Sequence, residues 1–141
     1  MSDIRTALYY HIQTTSGIGA GISSRVYVAG DVPQDTAMPF LTIQQISNEI
    51  VRDQDGVSYL ERTLFQITAV GATEKAAHDL AHLVQVALDA YRDTMGEAGA
   101  TVAVRYISLD NELHIPLPPT DASQRGMHEY AQDYSIWNVT S

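Results

Sequence analysis

Apolar residues recur every fourth position near the start of the chain, at Ile4, Leu8 and Ile12, behind the capping candidates Ser2 and Asp3. That spacing predicts a helix over residues 3–13. The period then changes. "RVYVA" (25–29) is a short β-branched run that stops at Gly30-Asp31, and "PFLTIQQIS" (39–47) begins after a proline, so both predict strands. "SYLERTLFQITAV" (58–70) predicts a longer strand, with Phe65, Ile67 and Ala69 on one side and Leu64, Gln66 and Thr68 on the other. The charged stretch "NEIVRDQDG" between these two strands reads as a hairpin tip.

Helical spacing returns from Thr73 to about Thr94. Thr73 can cap this helix, and Ala77, Leu80, Ala81, Val84, Ala87, Leu88 and Tyr91 form its apolar stripe. "TVAVRYISL" (101–109) and "HEYAQDYSIWNV" (128–139) predict two further strands joined by a proline-rich loop. The order is helix, three strands, helix, two strands. Consecutive strands able to pair as hairpins predict an α+β fold, with a mainly antiparallel sheet of about five strands and two helices packed on one face. The other face keeps a mixed surface of Leu, Tyr, Gln and Thr. The chain of 141 residues is long enough for one core, so residues 1–141 read as a single domain.

Composition narrows the function. Apolar residues make up 45% of the chain, which fits a globular fold. A net charge of −9, with eight scattered Lys and Arg, argues against a broad phosphate-binding surface. The absence of cysteine removes disulfides, thiolate nucleophiles and thiolate metal sites together. "MSDIRTALYY" lacks an export-length apolar run and no segment has the length of a membrane span, so a soluble cytoplasmic chain is expected.

The candidate chemistry is thin. "KAAHDLAHL" (75–83) sets His78 and His82 four apart, as in the zinc-protease pattern H-E-x-x-H, but Asp79 stands where the glutamate belongs. Both histidines fall with Lys75, Gln85, Asp89 and Arg92 on the polar side of the helix, and His11, His114 and His128 are isolated in sequence. A zinc site needs a third ligand and a base in a sheltered cleft, so a metal-dependent hydrolase using His78 and His82 is the minor reading. "GIGAG" (17–21) follows a helix and precedes a strand, the reverse of a dinucleotide-binding turn. No serine sits in a nucleophile-elbow context. Tyr130, Tyr134 and Trp137 alternate with Glu129 and Asp133 near no basic residue, so base stacking is disfavoured and core or interface packing expected. No catalytic residue, cofactor site or metal site is predicted.

Three stretches taken in order resemble a known family. "RVYVAGDVPQDTAMPFLTIQQIS" (25–47) is similar to its short strand, loop and proline-led strand. "ERTLFQITAVGATEKAAHDLAHLVQVALD" (61–89) resembles its Arg-x-x-x-Gln-Ile strand and the helix that follows. "HEYAQDYSIW" (128–137) is similar to its last strand. The family is the tail-completion or tail-terminator proteins of long-tailed phages, prophages and gene-transfer particles. The resemblance implies a structural virion protein of the tail or neck, assembled in the host cytoplasm. It implies a homo-oligomer, a ring of six, capping the tail tube and docking onto the head-completion or stopper protein. DNA would pass through the lumen without specific binding, and the family brings no catalytic residues. A head-tail connector or a minor tail subunit is the alternative within the same setting.

Two loops are the expected contact points, because loops on a rigid scaffold carry interactions. The hairpin tip offers Arg52, Asp53, Gln54 and Asp55. The loop Leu113–Gly126 offers Pro116, Pro118 and Pro119, which stiffen it and lower the entropy lost on docking, and the basic Arg125.

Overall fold

The computed structural model describes residues 3–15, 18, 22, 25–33, 36–51, 60–117 and 127–139. The elements run α1 (Ile4–Thr14), β1 (Val26–Val28), β2 (Phe40–Val51), β3 (Leu60–Gly71), α2 (Glu74–Leu88), β4 (Thr94–Met95), β5 (Val102–Leu117) and β6 (Met127–Val139). Asp3 caps α1 by accepting from the Arg5 N–H, and Thr73 caps α2 by accepting from the Ala76 N–H. The strands form one sheet in the order β1-β2-β3-β6-β5-β4. Among the described residues, only β1 and β2 run parallel; every other pairing is antiparallel.

The strand alternation sorts the sheet into two faces. Leu41 and Ile43 of β2, Phe65, Ile67 and Ala69 of β3, and Tyr134 and Ile136 of β6 are buried in one cluster. Ile4, Ala7, Leu8 and Ile12 of α1 join it, with Ala77, Leu80, Ala81, Val84 and Leu88 of α2. Each large side chain buried there contributes about 1.5–3 kcal/mol of hydrophobic free energy. His11 fastens the two helices: its Nε2 lies 3.3 Å from the Ala87 carbonyl and its ring meets Tyr91 edge-on at 4.7 Å. The turn into α2 is tight. A Cβ on Gly71 would stand 2.6 Å from the Ala77 nitrogen, so the close approach there requires glycine.

The mixed, mainly antiparallel sheet agrees with the sequence, but its extent differs. Among the described residues there are six strands, the extra one being β4. It begins at Thr94, where the expected helix ends, and the helix itself is shorter than its apolar stripe predicts. α2 stops at Leu88; Ala90 adopts a positive φ of 64°, and the Asp89 carboxylate leaves the helix to accept from the Leu109 N–H. Asp89 and Arg92 therefore do not belong to the helix face. β2 continues to Val51 and β5 to Leu117, so Asn48–Val51 of the expected hairpin tip and Leu113–Leu117 of the expected loop are strand. Polar Asp110 and Asn111 look like a strand end, yet Asp110 is a bulge and the ladder resumes beyond it at Asn111.

Candidate assembly surfaces

Register places the two hairpins at opposite ends of the sheet. The connection from β2 to β3 leaves the end where Leu60 pairs with Val139, and that from β5 to β6 leaves the end where Leu117 pairs with Met127. Of the residues singled out for contacts, Pro116 is exposed on β5 opposite His128. Arg52, Asp53, Gln54, Asp55, Pro118, Pro119 and Arg125 lie outside the described residues.

The face without helices carries a polar stripe across the strands. Arg62 of β3 donates to Ser135 Oγ of β6 at 3.0 Å and lies 3.7 Å from Glu49 of β2 and 4.0 Å from Asp110 of β5. Ser135 and Ser108 both donate to the Asp110 carboxylate, and Gln66 donates to Asp133 at 3.2 Å. Each of these exposed ion pairs is worth less than about 1 kcal/mol, so the stripe adds a fixed surface pattern more than stability. Beside it, Leu60, Arg105, Tyr106, Trp137 and Val139 line an open groove of about 490 Å³. The Arg62 guanidinium lies 5.8 Å from the Trp137 ring, and that of Arg92 lies 4.9 Å from the Tyr106 ring.

On the helix side, His78 and His82 are exposed on α2. Asp79 pairs with Lys75 at 2.7 Å, and that hydrogen bond holds its carboxyl below the ordinary value. His78 lies 3.6 Å from Asp79 and meets the Tyr130 ring edge-on at 5.5 Å. Tyr130 donates to Glu74 Oε1 at 2.5 Å, and that bond, helped by burial, pushes its hydroxyl up to about 12.

His114 and His128, far apart in sequence, are brought together by the β5–β6 pairing. Their facing nitrogens stand 3.1 Å apart, and the His114 ring stacks on Tyr130 at 4.6 Å. The two imidazoles lie nearly parallel, with centroids 5.3 Å apart and an interplanar angle of 19°. The 3.1 Å between the facing nitrogens is within the range of an N–H···N hydrogen bond between the two rings. The signal for this cluster is the strand register, since pairing across the hairpin sets residue 114 opposite 130. Among the described residues, no group of three or more His, Asp or Glu is arranged to hold a metal ion.

The comparisons with known proteins give these surfaces a setting. The family model described as "Tail completion protein gp17" matches residues 6–112. The chain belongs to that family. It is therefore a structural protein of phage-type tails. Among solved structures, a chain from "Virion of native gene transfer agent (GTA) particle" is similar in fold, with a TM-score of 0.67 at 13% identity, covering 97% of this chain and 95% of that one. No curated protein matches the chain. Among the described residues, no helix is long and apolar enough to cross a membrane.

Proposed function

We propose that this tail completion protein forms a ring at the head-proximal end of the tail tube and joins the tube to the head-completion protein. The observation that supports this most directly is the exit of the two long hairpins from opposite ends of the sheet. A subunit built that way can engage one neighbour above and another below without either contact disturbing the core. We assign Arg52, Asp53, Gln54 and Asp55 to one neighbour, and Pro116, Pro118, Pro119 and Arg125 to the other. The role needs no catalytic group and no cofactor. A subunit carrying −9 favours passage of DNA over capture, because a wall of the same sign repels the phosphates.

The test is assembly of tails with a tagged chain, read by electron microscopy. The tag is expected at the head-proximal end. Deleting residues 53–55 or shortening 118–125 should leave circular dichroism unchanged while each abolishes joining to one neighbour. A tag at the distal tip, or normal head-tail joining by both deletions, would overturn the proposal.

A further inference from the structure

Among the described residues, two stretches of backbone have no strand partner, one on each outer long strand. On β2, the Leu41 N–H donates to the Arg25 carbonyl and the Ile43 carbonyl accepts from Ala29, so alternate residues there turn their backbone groups away from β3. β1 ends at Val28, and the bulge at Ile46 shifts the phase by one residue. Beyond it, Asn48 and Ile50 point outward, and among the described residues nothing pairs with them. On β5, the Ile107 carbonyl accepts from Ala90 and the Leu109 N–H donates to Asp89. After the bulge at Asp110, Glu112, His114 and Pro116 point outward, again with no strand beside them among the described residues.

The four long strands alternate in direction, since β2–β3, β3–β6 and β6–β5 are all antiparallel. An even number of alternating strands has a geometric consequence. A second copy rotated beside the first, keeping its helices on the same side, brings its β5 antiparallel to the first copy's β2. We propose that successive copies join head to tail through these edges, with Asn48 opposite His114 and Ile50 opposite Glu112 of the neighbouring copy. The proposal rests on the ring reading above and names the surface that builds the ring.

Three features of the chain favour this occupant. Outward backbone groups recur every second residue on both edges, as an antiparallel ladder requires. Pro116 has no N–H to donate, so a slide that sets Asn48 against it loses a bond, and the stated register avoids that loss. Ile46 (46% exposed), Ile50 (48%) and Leu113 (55%) are large apolar side chains left open on these same two stretches. Twofold pairing of β2 with β2, or of β5 with β5, covers one edge and leaves the other open; a closed head-to-tail ring leaves neither.

The absence of cysteine permits a direct test. Glu49 and Leu113 lie between the outward residues, so in the stated register they face each other as a non-hydrogen-bonded pair. Cα atoms of such pairs are about 4.5 Å apart, within disulfide range. Oxidation of the double variant E49C/L113C assembled on tail tubes should produce a ladder of covalent oligomers on non-reducing gels, while each single variant stays unlinked. Mixing the two single variants should yield dimers and nothing larger. Native mass under reducing conditions reads assembly independently. Intact rings that fail to link in E49C/L113C would overturn the edge pairing and leave the ring reading standing. Dimers from L113C alone, or from E49C alone, would show a twofold edge contact and also overturn it. A strict monomer, even on tail tubes, would overturn both readings.

Discussion

Gln132 is a glutamine almost fully enclosed by the fold, at 1% exposed, and its surroundings allow a sharp prediction. Its Nε2 donates to the Ala81 carbonyl of α2 at 3.1 Å and to Glu112 Oε2 of β5 at 2.7 Å, while its Oε1 accepts from the fully buried Tyr134 hydroxyl at 2.8 Å. Burial, reinforced by Asp89 and Glu112, raises the Tyr134 hydroxyl above its ordinary value, so it stays protonated and keeps donating. In Gln132→Leu the volume is nearly conserved, but Tyr134 keeps a buried O–H without its acceptor. A stranded buried polar group costs about 1–3 kcal/mol. The Ala81 carbonyl lies inside α2, with a helical partner, and exposed Glu112 can turn to water, so neither adds much. A loss of about 2 kcal/mol is expected. For a chain of 141 residues each kcal/mol moves Tm by about 3–5 °C, giving a drop of about 6–10 °C. Urea unfolding of Q132L, Y134F and the double variant, at one fixed protein concentration, measures it. The double variant should be less destabilised than the two singles summed, by about 1 kcal/mol, because removing both partners strands neither. A Q132L within 0.5 kcal/mol of wild type, or strict additivity, would refute this account of the buried network.

Two further outcomes follow from single positions. Gly71→Ala forces a Cβ to 2.6 Å from the Ala77 nitrogen and should cost about 1–3 kcal/mol; Gly99→Ala, with open space but a φ of +90°, should cost about 1 kcal/mol from strain alone, and thermal melts that reverse this order would count against the close approach. Burial raises the carboxyl of half-buried Glu129, so the folded state holds its proton to higher pH than the unfolded chain does, and stability falls as pH rises through that window. Glu129→Gln should therefore raise Tm slightly at pH 7, with the gain shrinking as acid protonates the native carboxyl; a loss of Tm at pH 7 would contradict the cause assigned.

Much of the fold is legible where local pattern and tertiary packing agree. The Asp3 cap, the Ile4, Leu8 and Ile12 stripe, the Thr73 cap and the alternation through Phe65, Ile67 and Ala69 all appear as read. What escapes the sequence depends on distant partners. Tyr91 prolongs the apolar stripe of α2 and does pack on the core, yet it lies beyond a helix end fixed by Asp89 reaching Leu109. β5 is read short because a bulge residue such as Asp110 looks like a terminator until its partner strand is known. His114 and His128 look solitary for the same reason. Among the contact residues chosen from the sequence, Pro116 turns out to belong to a strand edge rather than a loop, which changes what its missing N–H means.

Two of the three bulges among the described strands, those at Ile46 and Asp110, connect these observations. Ile46 lies just past the part of β2 that β1 covers, and Asp110 lies just past the part of β5 that the segment after α2 covers. At each, the strand passes from an edge covered by the chain's own backbone to one that no strand covers among the described residues. Open edges invite indiscriminate pairing, and the residues around these ones oppose it: Glu49 and Glu112 add charge, and Pro116 withholds a donor. A net charge of −9 adds long-range repulsion between free copies. A subunit so guarded stays dispersed unless several contacts form at once. Under the proposed edge pairing, joining of both edges on a tail tube would meet that condition, which argues for assembly templated by the tube over spontaneous rings in solution.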